Sequence, residues 1–301
     1  MSKYLISIVG ATAIGKTALS IQLANHFNTA IISCDSRQFF KEMTIGTAVP
    51  SKEELSAAEH HFIQHISIFD SYNVGQFEKD AIEKLHELFQ QHDIVIMVGG
   101  SGLYVDAVLK GLDEFPKVDP KIREDLNQQL ETDGIESLQQ QLLQLDPTYY
   151  ERVALGNPHR LIRALEICIG SGKPYSSFLK DKTADRNFTA IKVGLTADRP
   201  IMYNRINQRV DIMMEEGLLE EAKALYPHKA LNALQTVGYR ELFEYLDGNY
   251  TLDFAISEIK KNTRRFAKRQ GTWFRKDEST IWFDYQEHIE TIVKEIESRL
   301  G

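Results

Sequence analysis

The sequence predicts an α/β fold: a mostly parallel sheet flanked by helices, with a helical insertion. Three observations carry this. Over the first hundred residues, short apolar runs alternate with helical patterns. Residues 114–185 hold no good strand run and are rich in Gln, Leu, Glu and Asp at helical spacing, as in Ile135-Glu-Ser-Leu-Gln-Gln-Gln-Leu-Leu. An apolar run then resumes at Ala190–Thr196. The expected organisation is a core in two parts, 1–113 and 186–301, interrupted by the insertion at 114–185. A chain of 301 residues, 43% apolar and 26% charged, is long enough for one large α/β domain carrying such an insertion.

Tyr4–Val9 is continuously apolar and ends at Gly10, which suits a buried first strand. It lacks the basic start and small-residue cleavage site of a secretory signal. Further strands are expected at Ala30–Ser33, His65–Ile68 and Ile94–Val98, with helices beginning near Lys16, Gly75 and Gly102. In the insertion, Asn157-Pro158 reads as an N-cap followed by proline at the first helical position, and Gly170, Gly172 and Pro174 end that helix. The remainder is mainly helical after Ala190–Thr196, with a late strand at Thr280–Phe283.

No apolar stretch is long enough to span a bilayer, so no membrane partner is expected. Cys34 and Cys168 are the only cysteines. They exclude a disulfide framework and a four-cysteine zinc site, and fit a reducing, cytoplasmic location. His60, His61 and His65 lack a recognised fourth ligand and read as structural. The net charge of −8 argues weakly against nucleic acid, but its distribution argues otherwise. Residues 260–276, KKNTRRFAKRQGTWFRK, carry eight Lys or Arg and no acid. With Phe266, Trp273 and Phe274 interleaved, the segment favours RNA over an ordinary solvated helix face.

Gly10-Ala11-Thr12-Ala13-Ile14-Gly15-Lys16-Thr17 fits G-x-x-x-x-G-K-[ST], between an apolar strand and an amphipathic helix from Thr17 to Phe27. That context marks a phosphate loop, and with it a P-loop NTPase-like fold. The glycines let the backbone wrap round an anion, and the helix N-terminus turns free N–H groups toward it. Lys16 is expected to neutralise phosphate oxygens and Thr17 to hold Mg²⁺. The cradle does not name the reaction: kinases use it to activate phosphorus, while the same grip could stabilise diphosphate leaving carbon. Asp35 follows the second strand, at the carboxyl end where α/β sheets place their sites. Spacing alone leaves it equally a turn-capping or a catalytic aspartate.

The segments after residue 30 discriminate. Asp35-Ser36-Arg37-Gln38-Phe39-Phe40 and Met43-Thr44-Ile45-Gly46-Thr47-Ala48 are followed by His60-His61-Phe62-Ile63 and Tyr72-Asn73-Val74-Gly75-Gln76-Phe77. Next come Gly99-Gly100-Ser101-Gly102-Leu103-Tyr104 and Asn157-Pro158-His159-Arg160-Leu161-Ile162-Arg163-Ala164-Leu165-Glu166. Arg205 to Arg209 with Met213 and Gly217, then Gly238-Tyr239-Arg240-Glu241, and Lys268-Arg269-Gln270 with Thr272-Trp273-Phe274, complete the series. Together, in this order from about Ile6 to Trp282, they resemble the tRNA dimethylallyltransferase family. The chain departs from the family pattern at Ala11 and Ile14, where Pro and Ser are usual, at Lys41-Glu42 before Met43, and at Ser101, which keeps the hydroxyl of the usual Thr.

The resemblance implies transfer of a dimethylallyl group from dimethylallyl diphosphate to the exocyclic N6 of adenosine 37, beside the anticodon, in tRNAs reading codons that begin with U. It implies that Asp35 takes the amine proton, that Lys16, Thr17 and Arg209 hold the diphosphate, and that Ser101 reaches the reacting region while also able to cap the helix from Gly102. Asp35, Ser36, Arg37 and Gln38 are expected at the target base. His159, Arg160, Leu161, Ile162 and Arg163, with Gly238, Tyr239, Arg240, Arg269 and Trp273, are expected on the tRNA. Arg160 and Arg163 share a helix face, and salt bridges within the insertion are their alternative use. The expected enzyme is a monomer acting on the anticodon stem-loop, and the phosphate loop makes ATP or another nucleotide a further possible occupant. The competing readings are a P-loop small-molecule kinase, a prenyltransferase acting on free adenine nucleotides, and a non-catalytic RNA-binding module.

Overall fold

The computed structural model describes residues 2–179 and 184–301; positions 180–183 of the expected insertion lie outside the described residues. Two compact units emerge: Met1–Lys110 with Asp185–Gly301, and Gly111–Ala184.

The first unit is built on six strands: β1 (Tyr4–Gly10), β2 (Ile31–Ser33), β3 (His60–His61), β4 (Ile94–Val98), β5 (Thr189–Thr196) and β6 (Ile281–Asp284). They form one sheet in the order β3-β2-β4-β1-β5-β6, with every pairing parallel. β1 is buried along its whole length, as its apolar run requires. Its alternating side chains feed two cores. Leu5 and Val9 pack with Phe39, Phe77, Leu85 and Met97 on one face; Ile6 and Ile8 pack with Leu23, Ile96, Val193 and Ile296 on the other.

One expected strand does not form. His65–Ile68 makes a single bridge, Phe40 to Ile66, and the third strand lies earlier, at His60–His61. Between them Phe62 and Gln64 adopt positive φ, 63° and 48°, which turns the chain out of the sheet. The Ile66 and Gln64 N–H groups then donate to the Phe39 and Gln38 carbonyls, in an irregular loop rather than a strand.

The helices are α1 (Lys16–Phe27), α2 (Lys52–Ala57), α3 (Val74–Leu88), α4 (Gly102–Lys110), α5 (Pro120–Asp133), α6 (Ile135–Leu145), α7 (Pro147–Tyr150), α8 (Pro158–Ser171), α9 (Arg199–Glu215), α10 (Leu218–Leu225), α11 (Tyr239–Leu246), α12 (Leu252–Phe274) and α13 (Ile289–Glu297). Several of them start on a side-chain N-cap. Asn73 Oδ1 accepts from Gly75 and Gln76 N–H at α3, and the Thr251 hydroxyl accepts from Phe254 N–H at α12. None of the described helices is long and apolar enough to cross a membrane.

The second unit contains α5–α8 around a core of Leu126, Leu138, Leu142, Leu161, Ile162 and Leu165. Asn157 caps α8 by accepting from Arg160 N–H at 3.3 Å, Pro158 sits at the first position, and Gly172 (φ 68°) ends the helix in the left-handed region.

Candidate active site

The phosphate loop leaves β1 at its carboxyl end. Gly10 (φ 145°) must be glycine twice over: its φ is unsuited to an L side chain, and a Cβ would lie 2.7 Å from the Leu195 carbonyl oxygen. Ala13 also sits in the left-handed region, φ 62°. Arg205 of α9 props that residue by donating from Nε to the Ala13 carbonyl at 2.8 Å. Ile14, one of the departures from the family pattern, points inward and is 1% exposed. It packs in the core beside Gly10 rather than on the loop's outer side.

Lys16 lies in this turn, its Nζ donating to the Ala11 carbonyl at 2.7 Å. Burial pulls its ammonium from 10.5 down to about 8; the Asp35 carboxylate opposes that fall and the Arg209 guanidinium adds to it. Burial likewise lowers Arg209, with Asp35 opposing. Lys16, Asp35 and Arg209 therefore share one electrostatic neighbourhood, although they come from three separate stretches of chain. Arg209 is not a solvated helix-face arginine; it lines the site.

Asp35 stands just beyond β2. Its Oδ1 accepts from Arg37 N–H at 3.1 Å, an Asx turn that fixes the carboxylate. The Ser101 hydroxyl accepts from Ser36 N–H at 3.1 Å and lies 3.1 Å from Ser36 Oγ, so it holds the loop next to Asp35.

Two cavities open here. The first, about 420 Å³, is lined by the phosphate loop from Thr12 through Thr17, by Asp35, Gln38, His60, Arg205 and Arg209, and by apolar Pro50, Ile63, Val98 and Ile212. The second, about 580 Å³, is lined by Ser36, Arg37, Ser101, Tyr104, Gly238, Arg240, Phe266, Arg269 and Trp273, among others. Thr12, Asp35, Thr47 and Arg209 line both. The two spaces thus meet at Asp35.

The expected residues divide. Lys16, Thr17, Asp35, Ser36, Arg37, Ser101, Arg209, Gly238, Arg240, Arg269 and Trp273 lie on the two cavities. Arg37 sits in the second cavity's wall with its guanidinium donating to the Asn232 and Ala233 carbonyls at 3.0 and 2.8 Å. Gln38 lines the first cavity only, and its amide donates to the Thr47 and Ala48 carbonyls. Tyr239 is fully buried and donates a hydrogen bond from its hydroxyl to the Glu221 carboxylate at 2.6 Å, so it is core. In the second unit, Leu161 and Ile162 are core as well, while His159 and Arg160 are exposed. Arg163 pairs with buried Glu166, which also takes two bonds from Arg123 at 2.6 and 2.8 Å. Of the two arginines of α8, Arg163 makes a salt bridge within the second unit and Arg160 is exposed.

Three residues outside the expected set shape the site. Glu221 accepts from the N–H groups of Thr44, Ile45 and Gly46 at 3.1, 2.9 and 2.9 Å, pinning the loop that carries Thr47. Arg205 props Ala13, and Gln270 bridges two segments described below. Arg205 and Gln270 belong to the quoted motifs, which was their signal; Glu221 belongs to none.

A phosphate loop at the end of a central parallel strand, with a strand-end carboxylate shared by two adjoining cavities, defines a P-loop NTPase-like protein. The profile of the IPP transferase family matches residues 38–277, and the chain belongs to that family. A protein of Flavobacterium johnsoniae named tRNA dimethylallyltransferase is 64% identical over 99% of this chain and 100% of its own. One of Christiangramia forsetii with the same name is 65% identical over both whole chains. Among solved structures, the tRNA isopentenylpyrophosphate transferase of Bacillus halodurans is similar with a TM-score of 0.73 and 37% identity, covering 99% of this chain and 95% of that one. A eukaryotic dimethylallyltransferase acting on tRNA is similar with a TM-score of 0.82 and 27% identity, covering 95% of this chain and 75% of that one.

Proposed function

We propose that this protein is a tRNA dimethylallyltransferase, moving a dimethylallyl group from its diphosphate to N6 of adenosine 37. The observation that carries the reading is the meeting of two cavities at Thr12, Asp35, Thr47 and Arg209. One cavity has the cationic, N–H-rich lining of a diphosphate site; the other has the arginines and aromatics of a site for an unstacked base.

An aromatic amine is a weak nucleophile because its lone pair is delocalised into the ring. The allylic C1 becomes electrophilic as diphosphate leaves. The C1–O bond breaks with its electron pair going to diphosphate, the N6 lone pair forms the new N–C1 bond, and the N6 proton passes to the Asp35 carboxylate. Lys16 and Arg209 stabilise the charge growing on diphosphate, and the loop's fixed dipoles need little reorganisation to do so. Asp35, anchored through Oδ1, keeps Oδ2 for the amine. Extruding the adenine costs about a few kcal/mol, which Arg37, Arg269 and Trp273 offset by stacking and polar contact.

Thr17 offers a hard oxygen donor on the first cavity, which would suit Mg²⁺ held together with phosphate oxygens. Among the described residues no group of three or more His, Cys, Asp or Glu could hold a metal ion. When bound, Mg²⁺ would offset diphosphate charge. The proposal includes a monomeric, cytoplasmic enzyme that meets the anticodon stem-loop with exposed His159 and Arg160 and with the exposed basic residues of α12, and whose tRNAs read codons beginning with U.

The test is incubation with dimethylallyl diphosphate, Mg²⁺ and an unmodified anticodon stem-loop, with prenylated adenosine detected by mass. Product from the stem-loop but not from AMP is the expected result. Product from AMP alone would assign a free-nucleotide prenyltransferase, and ADP formed from ATP with a small acceptor would assign a kinase.

A further inference from the structure

Gln270 lies on α12 and is 6% exposed. Its Oε1 accepts from the Thr12 N–H at 2.9 Å, and its Nε2 donates to the Gly100 carbonyl at 2.9 Å. One side chain therefore ties the phosphate loop to the segment between β4 and Ser101. The Thr12 N–H, near the start of the loop, is thus engaged by a side-chain amide. Thr12 lines both cavities, Gly100 and Gln270 line the second, and Ser101 holds the Asp35 loop through Ser36.

Gly100 reports the same design from the other side. A Cβ there would lie 2.3 Å from Gln270 Nε2 and 3.9 Å from Asp35 Oδ2. The absence of a side chain at Gly100 is what lets the amide sit between the loop and Asp35. Glycine is thus required at this position for close approach, not for backbone freedom.

We infer that Gln270 is a positioning residue for prenyl transfer: it sets the shape of the phosphate loop and its register against the Asp35–Ser101 segment, so that the diphosphate and the nucleophile are held at reacting distance. This rests on the transferase reading given above. The Gln270 amide is satisfied on both sides, and its loss orphans the buried Gly100 carbonyl and frees the part-buried Thr12 N–H. Small errors in reactant geometry have a large effect on rate.

The experiment is a double-mutant cycle of Gly100→Ala and Gln270→Ala, with Gln270→Met, which fills the space without bridging, as a second variant should the alanine not fold. Circular dichroism fixes a temperature at which every variant is folded. Two quantities are read: affinity for inorganic pyrophosphate by calorimetry, and kcat and KM with dimethylallyl diphosphate and the anticodon stem-loop. Each single variant is expected to lower kcat about tenfold or more and to weaken pyrophosphate binding, with the stem-loop KM within about twofold of the parent. Adding Gly100→Ala to Gln270→Ala is expected to cost little more, because the amide it displaces is already gone. Wild-type kcat and pyrophosphate affinity in the Gln270 variants would overturn the inference. So would a Gly100→Ala penalty that is undiminished in the double variant, or one confined to melting temperature. A wild-type protein that binds pyrophosphate but makes no prenylated RNA would instead overturn the transferase reading, leaving the pyrophosphate cycle to decide the role of Gln270.

Discussion

Asp35 and Lys16 show how single residues acquire function from surroundings. Asp35 is a short polar residue after a strand, equally suited by spacing to a turn or to catalysis; its carboxylate is anchored by Arg37 N–H at the meeting of two cavities. Asp35→Ala should reduce prenyl transfer by about a hundredfold or more, the span of general-base catalysis, while calorimetry finds pyrophosphate binding largely retained. Normal turnover in that variant would remove Asp35 from the mechanism. Lys16 carries a pH signature. Its ordinary value of 10.5 falls to about 8 in the fold, so the folded protein holds this proton less tightly than the unfolded chain does. Between these values the unfolded state binds more protons, and stability therefore rises with pH across that window, while Lys16 is a cost below it. Donor binding has the opposite sign, because diphosphate needs the ammonium. Its KM should climb above pH about 8, approaching about tenfold per pH unit, and Lys16→Arg should remove that limb from the profile.

Within elements, neighbours on one face can have separate duties. On α8, Arg163 is engaged by buried Glu166 and lies over the Phe115 ring, whereas Arg160 is exposed. Arg160→Ala should leave the melting temperature almost unchanged and raise the stem-loop KM several-fold. Arg163→Ala should cost about 1 kcal/mol in thermal denaturation, a modest figure because that guanidinium is half-exposed. On α10, Glu221 collects three successive backbone N–H groups and the Tyr239 hydroxyl. Glu221→Ala leaves all of them without their partner and should destabilise the fold by about 3 kcal/mol in urea titration, with Tyr239→Phe nearer 1 kcal/mol. Gly46 faces the Tyr239 ring at 2.6 Å from where a Cβ would stand, so the loop, the tyrosine and the glutamate form one fitted unit.

Across the whole molecule, charge is sorted. The chain carries −8 overall, yet Arg265, Lys268, Arg269, Arg275 and Lys276 of the basic segment are exposed. Others in that segment are used internally: Lys260 pairs with Asp211 at 2.5 Å, and Arg264 donates to Asn207 at 2.7 Å. The stem-loop KM should therefore rise with ionic strength despite the acidic total, and Lys268→Ala should lower the slope of log affinity against log salt by about one, the change expected for one phosphate contact. An unchanged slope would take Lys268 out of the RNA contacts.

The alternation of apolar runs, the phosphate-loop spacing and the capping signal at Asn157 are local in origin. Short-range sterics and hydrogen bonding decide them, and they were legible in the residues alone. So was the order of the motifs, which pointed to Asp35, Lys16 and Arg209 before any distance was known. What the residues could not express is which groups meet across long stretches of chain. His65–Ile68 has strand-like composition, but the positive φ at Phe62 and Gln64 carries it away from the sheet. Tyr239 sits in a motif yet is buried against Glu221, and Gln270 and Gly100, 170 residues apart, make one hydrogen-bonded contact. Such pairings depend on how the sheet stacks its helices, because burial and hydrogen-bond satisfaction are set in three dimensions and not along the chain.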